Sequence, residues 1–186
     1  MELLESADVW TAEEFLRMSL NGRPHELVQG VAISVRPSSS NQSRVRRKAR
    51  KILERYGRQS SCGHMLAEGT PVLTKRGPDT VRTADLIFHN DGNWVYDEGE
   101  PDLVEDPPEM VLIVEGDNRR AGDLANLAQE YLDFGVPLVL TVHPEQRWVA
   151  LHREHDGSFA LLGENDEIQD VPELPDFHCR IASFFE

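Results

Sequence analysis

"TVRTADLIFHN", residues 80–90, decides how this chain is read. Val81, Leu86, Ile87 and Phe88 predict a strand entering a core, and Asp85 stands inside that run. An ionised carboxylate is costly to desolvate, so an acid at such a position needs a partner. Asp85 shares strand parity with Val81, Thr83 and Ile87, which assigns it to a largely apolar face.

Two further acids repeat the pattern. Glu115 closes "EMVLIVE" (109–115) with the parity of Val111 and Ile113, and Glu26 opens "HELV" (25–28). Two readings fit. Each acid is separately solvated or paired with an arginine at a strand end, or all three converge on a divalent cation that offsets desolvation and mutual repulsion together. Oxygen-only ligands select a hard ion, Mg²⁺ or Mn²⁺. Such a centre suits phosphodiester hydrolysis, because the cation polarises a phosphoryl oxygen and acidifies a bound water. A nearby lysine usually orients that water or neutralises developing charge.

The rest of the pattern extends from this strand. The apolar run of "EMVLIVE" is continuous, which predicts a central strand covered on both faces. Leu124, Leu127, Ala128, Tyr131 and Leu132 then recur with helical spacing, and Gly135 is a candidate C-cap. "TAEEFLRMSL" (11–20) predicts a short helix opened by a Thr11–Glu14 capping box. "HELVQGVAISV" (25–35) predicts a hairpin turning at Gln29–Gly30. Residues 43–58 predict a helix with Val45, Ile52, Leu53 and Tyr56 on its apolar side. "GHMLAEGTPVLTK" (63–75) and "TVRTADLIF" (80–88) each read as one strand, followed by an acidic, turn-rich loop. "VPLVLTVHP" and "RWVALHRE" give two more strands. The tail adds a short strand and a closing apolar segment, in which Phe184 and Phe185 read as an exposed interface. The order α-β-β-α-β-β-β-α-β-β predicts one α/β domain over residues 1–186, a mixed β-sheet flanked by helices.

A net charge of −14 argues against loose nucleic-acid binding over the whole surface. Yet Arg44, Arg46, Arg47, Lys48, Arg50, Lys51, Arg55 and Arg58 concentrate eight of the 19 Lys and Arg residues in one helix. That helix is either a phosphate-contacting surface, with Arg44, Arg47, Lys48 and Lys51 foremost, or a solvated face. No apolar run is long enough to cross a bilayer, and the acidic N-terminus lacks a signal pattern, so the expected location is cytoplasmic. Cys62 and Cys179 read as two reduced thiols. GxSxG, Walker A and post-strand GxGxxG motifs are absent. His25, His64, His89 and His143 lie near strand ends, where one could serve a site, although structural and exposed roles are commoner. Trp10, Trp94 and Trp148 read as core or loop anchors rather than a base-stacking platform.

Taken in order, "TAEEFL…ELVQG", "GPDTVRTADLIF", "PEMVLIVE" and "EYLDFGVPLVLTVHPEQRWV" resemble the Uma-type restriction endonuclease family, within the PD-(D/E)XK nuclease superfamily. The likeness covers roughly residues 11–185. It implies a restriction-endonuclease-like core and a Mg²⁺- or Mn²⁺-dependent nuclease acting on DNA as a homodimer. It also implies Glu26, Asp85 and Glu115 as catalytic metal ligands. The departures are specific. Ala84 replaces the family's Pro before the Asp, "GDNRR" replaces "VxSPS", and a family His falls on Asn41 or Gln42. The family's lysine, one turn before Tyr131, falls on Leu127. Asp117 adds an acid near Glu115, and Arg119 and Arg120 add positive charge, but an arginine stays protonated and is a poor general base. Two functions therefore stand open: a metal-dependent nuclease impaired by loss of the lysine, or a catalytically inactive nuclease fold serving as a binding or assembly module.

Overall fold

The all-apolar run Met110–Val114 (β7) is buried at every position. It pairs in parallel with β8 (Leu138–His143) and antiparallel with β6 (Leu86–His89). The computed structural model describes residues 9–17, 24–61, 63–89, 103–116, 121–153 and 159–186. Around β7 runs a mixed six-stranded sheet, completed by β3 (His64–Met65), β9 (Trp148–Arg153) and β10 (Phe159–Gly163) in the order β10-β9-β8-β7-β6-β3. Covering both faces explains why β7 carries no polar residue. Leu112, Val114, Leu140 and Val142 pack against Val45, Ala49 and Leu53 of α2 (Ser40–Ser60). On the other face Val111, Ile113 and Val139 meet Leu124, Leu127, Ala128 and Tyr131 of α3 (Ala121–Phe134).

A second sheet orders as β2-β1-β5-β4, from β1 (His25–Val28), β2 (Val31–Ser34), β4 (Pro71–Lys75) and β5 (Thr80–Thr83). Its own small core joins Leu27, Leu73 and Val81 to Ala12 and Phe15 of α1 (Ala12–Arg17). This sheet corrects the strand reading. "TVRTADLIF" is not one strand: β5 ends at Thr83 in one sheet, β6 starts at Leu86 in the other, and Asp85 sits between them. "GHMLAEGTPVLTK" splits likewise into β3 and β4, around a turn at Glu68–Gly69 where Gly69 has φ +82°. Period-two patterning holds on both sides of each break, so it cannot reveal that the chain changes sheets.

Local expectations are met elsewhere. Thr11 and Glu14 form the capping box: the Glu14 amide donates to Thr11 Oγ1 and the Thr11 amide to Glu14 Oε2. The hairpin turns at Gln29 and Gly30, both at positive φ. A Cβ on Gly30 would lie 2.2 Å from Val9, so only glycine fits. Gly135 follows α3 at φ +106° as its cap. The tail forms β11 (Glu167–Ile168), β12 (Cys179–Arg180) and a closing 3₁₀ turn, Ile181–Phe184. Phe184 and Phe185 are buried in the main core rather than exposed, because that turn folds back against α2. Cys179 is a buried free thiol whose pKa burial pushes up to about 11, while Cys62 lies outside the described residues. Among the described residues no helix is long and apolar enough to cross a membrane.

Candidate functional site

Asp85 owes its place to the change of sheet. The β6–β7 register ends at Leu86↔Leu112, so Val114 lies beyond the last backbone partner on that side. Asp85 Oδ2 accepts from the Val114 amide at 2.8 Å. The Val114 carbonyl in turn accepts from Gln42 Nε2 of α2 at 2.9 Å. Two side chains thus replace a strand where the ladder stops. The other Asp85 oxygen faces Arg46 Nη1 at 3.4 Å. Asp85 is 8% exposed, so an unpaired charge there would be unfavourable.

Glu26 is held differently. Its Oε1 accepts from the amide and hydroxyl of Thr83, and its Oε2 from Arg82 Nη1 at 3.0 Å. Arg82 reaches across to α3, where it grips both oxygens of Glu130 at 2.9 and 2.8 Å; Glu130 also accepts from the Thr74 hydroxyl. Burial works against the Arg82 charge, but Glu130 and Glu26 outweigh it and hold the pKa above its ordinary value. Glu26, Arg82 and Glu130 therefore tie the four-stranded sheet to α3.

Glu115 follows the last β7–β8 register pair, Val114↔Val142, and its Oε2 lies 2.8 Å from Nδ1 of His143, the last residue of β8. His143 Nε2 faces Thr141 Oγ1 at 3.4 Å, and that hydroxyl lies 3.1 Å from His152 Nε2. Trp148 stacks on the His143 ring with centroids 3.5 Å apart. Burial lowers the His143 pKa and prevails over the raising influence of Glu115.

Each of the three predicted acids thus has a donor supplied by the protein. Among the described residues no group of three or more His, Cys, Asp and Glu side chains could hold a metal ion. As arranged, the carboxylates do not fit a resident divalent cation: Arg46 stands at Asp85, Arg82 at Glu26 and His143 at Glu115. Leu127, at the lysine position, is packed in the core between α3 and the sheet. Asp117, Arg119 and Arg120 lie outside the described residues.

The basic helix shows one consistent face. Arg44, Arg47, Lys48, Lys51, Arg55 and Arg58 are all exposed on α2 and recur every third or fourth residue. Arg44 is partly committed, donating to the Phe185 carbonyl and to Asn41. The other five have no ion-pair partner among the described residues. Arg46 and Arg50 point elsewhere, Arg46 to Asp85 and Glu68, Arg50 to Glu54.

Residues 12–182 match the family model "Uma2", described as "Putative restriction endonuclease". The chain belongs to the Uma2 family. Its fold is similar to a crystal structure described as "a putative nuclease belonging to DUF820" from Anabaena variabilis. That likeness has a TM-score of 0.79 at 11% identity and covers 94% of this chain and 97% of the other. At that identity it speaks for the fold. None of the curated proteins compared matches the chain.

In this Uma2 chain, then, Asp85 and Glu115 come to the same end of β7, one bonded to Val114 and the other following it in sequence. Glu26 belongs instead to the Arg82 cluster. Arg82 and Glu130 are not marked by the sequence reading, and Gln42 and Arg46 enter it in other roles than the partners they are here. A signal existed for two of them. Gln42 and Arg46 fall on the helical stripe of Val45, Ala49 and Leu53, so they face inward while Arg44, Arg47, Lys48, Lys51, Arg55 and Arg58 face out.

Proposed function

We propose that this Uma2 member binds nucleic acid through the exposed face of α2, and that its acids serve as fixed polar links rather than as ligands of a catalytic cation. The observation that carries the reading is the face itself: six basic side chains on one side of a helix, in a protein of net charge −14. From Arg44 to Arg58 the rungs run for about 20 Å, roughly 5 Å apart. That geometry suits a phosphate backbone, and phosphate contacts supply most sequence-independent affinity. The acidic remainder of the surface confines such binding to this face.

One observation favours a second reading, cation-dependent phosphodiester hydrolysis. Gln42 Oε1 is buried without a hydrogen-bond partner among the described residues, and it sits against Gly116, next to Glu115. An oxygen so placed would complement Asp85 and Glu115 once Arg46 moved aside.

Titration calorimetry separates the two. Under the first reading duplex DNA binds with chelator present, and neither Mg²⁺ nor Mn²⁺ binds wild type more tightly than Asp85→Asn. Saturable Mn²⁺ binding that is lost in Asp85→Asn and Gln42→Leu, with cleavage of plasmid DNA, would establish the second reading instead.

A further inference from the structure

Beside the Asp85 junction, between the β2–α2 connection and the β3–β4 turn, lies a pocket of about 270 Å³. Its walls include Arg36, Ser38, Arg46, Glu68 and Asp85. Arg46 is held there loosely. Asp85 Oδ1, Glu68 Oε1 and Ser38 Oγ each lie 3.4 Å from its guanidinium nitrogens, and its buried Nε makes no hydrogen bond among the described residues. A guanidinium settled on a carboxylate sits at about 2.7–2.9 Å. Arg82 does so on Glu130. Arg46 is thus a cation shared among three long contacts rather than spent on one. Asp85 keeps its position without it, since Oδ2 is bonded to the Val114 amide. Arg36, exposed at the same pocket, has no ion-pair partner among the described residues.

We propose that this pocket is a phosphate subsite. Arg46 swings from Glu68 and Asp85 onto a phosphate group, Arg36 meets it from the other side, and the Ser38 hydroxyl donates to a third oxygen. The planar fork of arginine matches two phosphate oxygens at once. Glu68 and Asp85 are the competitors that the phosphate displaces, which gives the proposal a sign. Weakening a competitor tightens the phosphate; removing Arg46 loosens it. Where the phosphate belongs to a strand lying on α2, the proposal rests on the nucleic-acid reading, because Arg46 and Arg47 share the helix. A free phosphate group has the same chemistry.

The test titrates inorganic phosphate, and an oligothymidylate with and without a 5′-phosphate, into four proteins by calorimetry. These are wild type, Arg46→Met, Glu68→Gln and the α2 variant Arg47→Glu/Lys51→Glu. Inorganic phosphate is expected to bind wild type, about tenfold more weakly to Arg46→Met, and several-fold more tightly to Glu68→Gln, as the loss or gain of a charged hydrogen bond implies. Should Arg46→Met fail to fold, Arg36→Ala, at an exposed position, carries the same expectation of weaker binding. Phosphate binding that follows this pattern while oligonucleotide binding ignores the α2 variant leaves the subsite standing, assigns it to free phosphate and removes the α2 reading. A 5′-phosphate that adds affinity only when Arg46 is present assigns the subsite to a strand end. Wild type that binds no phosphate at millimolar concentration, or phosphate binding indifferent to Arg46→Met and Arg36→Ala, overturns the proposal.

Discussion

Asp85 Oδ2 accepts the Val114 amide at 2.8 Å where the β6–β7 ladder has ended. The acid in the apolar run is therefore a substitute for a missing strand. A buried amide left without an acceptor costs about 1–3 kcal/mol. Asp85→Ala is expected to lose roughly that much stability with chelator present, and Asp85→Asn, which keeps an acceptor oxygen, distinctly less. Urea unfolding of the three proteins checks the order. If Asp85 served a cation alone, Asp85→Ala would be neutral or more stable without metal.

Arg82 joins Glu26 and Glu130 from opposite sides. Removing it leaves two carboxylates facing an unoccupied space, one of them buried. Arg82→Met is expected to cost about 2–4 kcal/mol, the partial exposure of Glu130 keeping it below a fully buried pair. Glu130→Gln, which keeps one acceptor oxygen for Thr74 and Arg82, should cost less. Hydrogen exchange should localise the loss to β1, β5 and α3; a uniform change across the protein would contradict the tie assigned to this cluster.

Asp79 links α1 to the second sheet, accepting from the Ala12 and Gly77 amides and from Arg76. Burial works to raise its pKa, but those donors outweigh it and hold the carboxyl below its ordinary value. The sign follows from linkage. The unfolded chain takes up a proton near pH 3.9 while the folded one resists, so the contribution is present above about pH 3.9 and lost as pH falls through the folded pKa. The acid limb of stability should be shallower in Asp79→Asn than in wild type. An identical acid limb would remove Asp79 from the account.

Much of the fold was legible because single residues have strong local rules. The continuous burial of Met110–Val114, the Thr11–Glu14 box and the Gln29–Gly30 turn each follow from a pattern a few residues long. The change of sheet at Asp85 follows from no such pattern, because apolar alternation continues through Thr83 and Leu86 as though one strand ran on. For the same reason parity assigned Asp85 to a face but could not reveal Val114 as its partner. The sequence singles out three acids that need partners, and of its two open readings arginine pairing describes how Asp85 and Glu26 are held in the fold. The identity of those arginines depends on contacts 39 and 56 residues apart in sequence, which no local periodicity records.

The central claim, that α2 presents a phosphate-binding face which needs no cation, is tested most directly by salt dependence. Fluorescence anisotropy of a labelled duplex, in chelator and at several salt concentrations, should give a slope of log Kobs against log salt of about −4 to −5, for roughly five phosphate contacts. Arg47→Glu/Lys51→Glu should weaken binding and flatten that slope by about two. A duplex that binds wild type only when Mg²⁺ or Mn²⁺ is added, or binding whose slope is unchanged by the double substitution, would contradict the account.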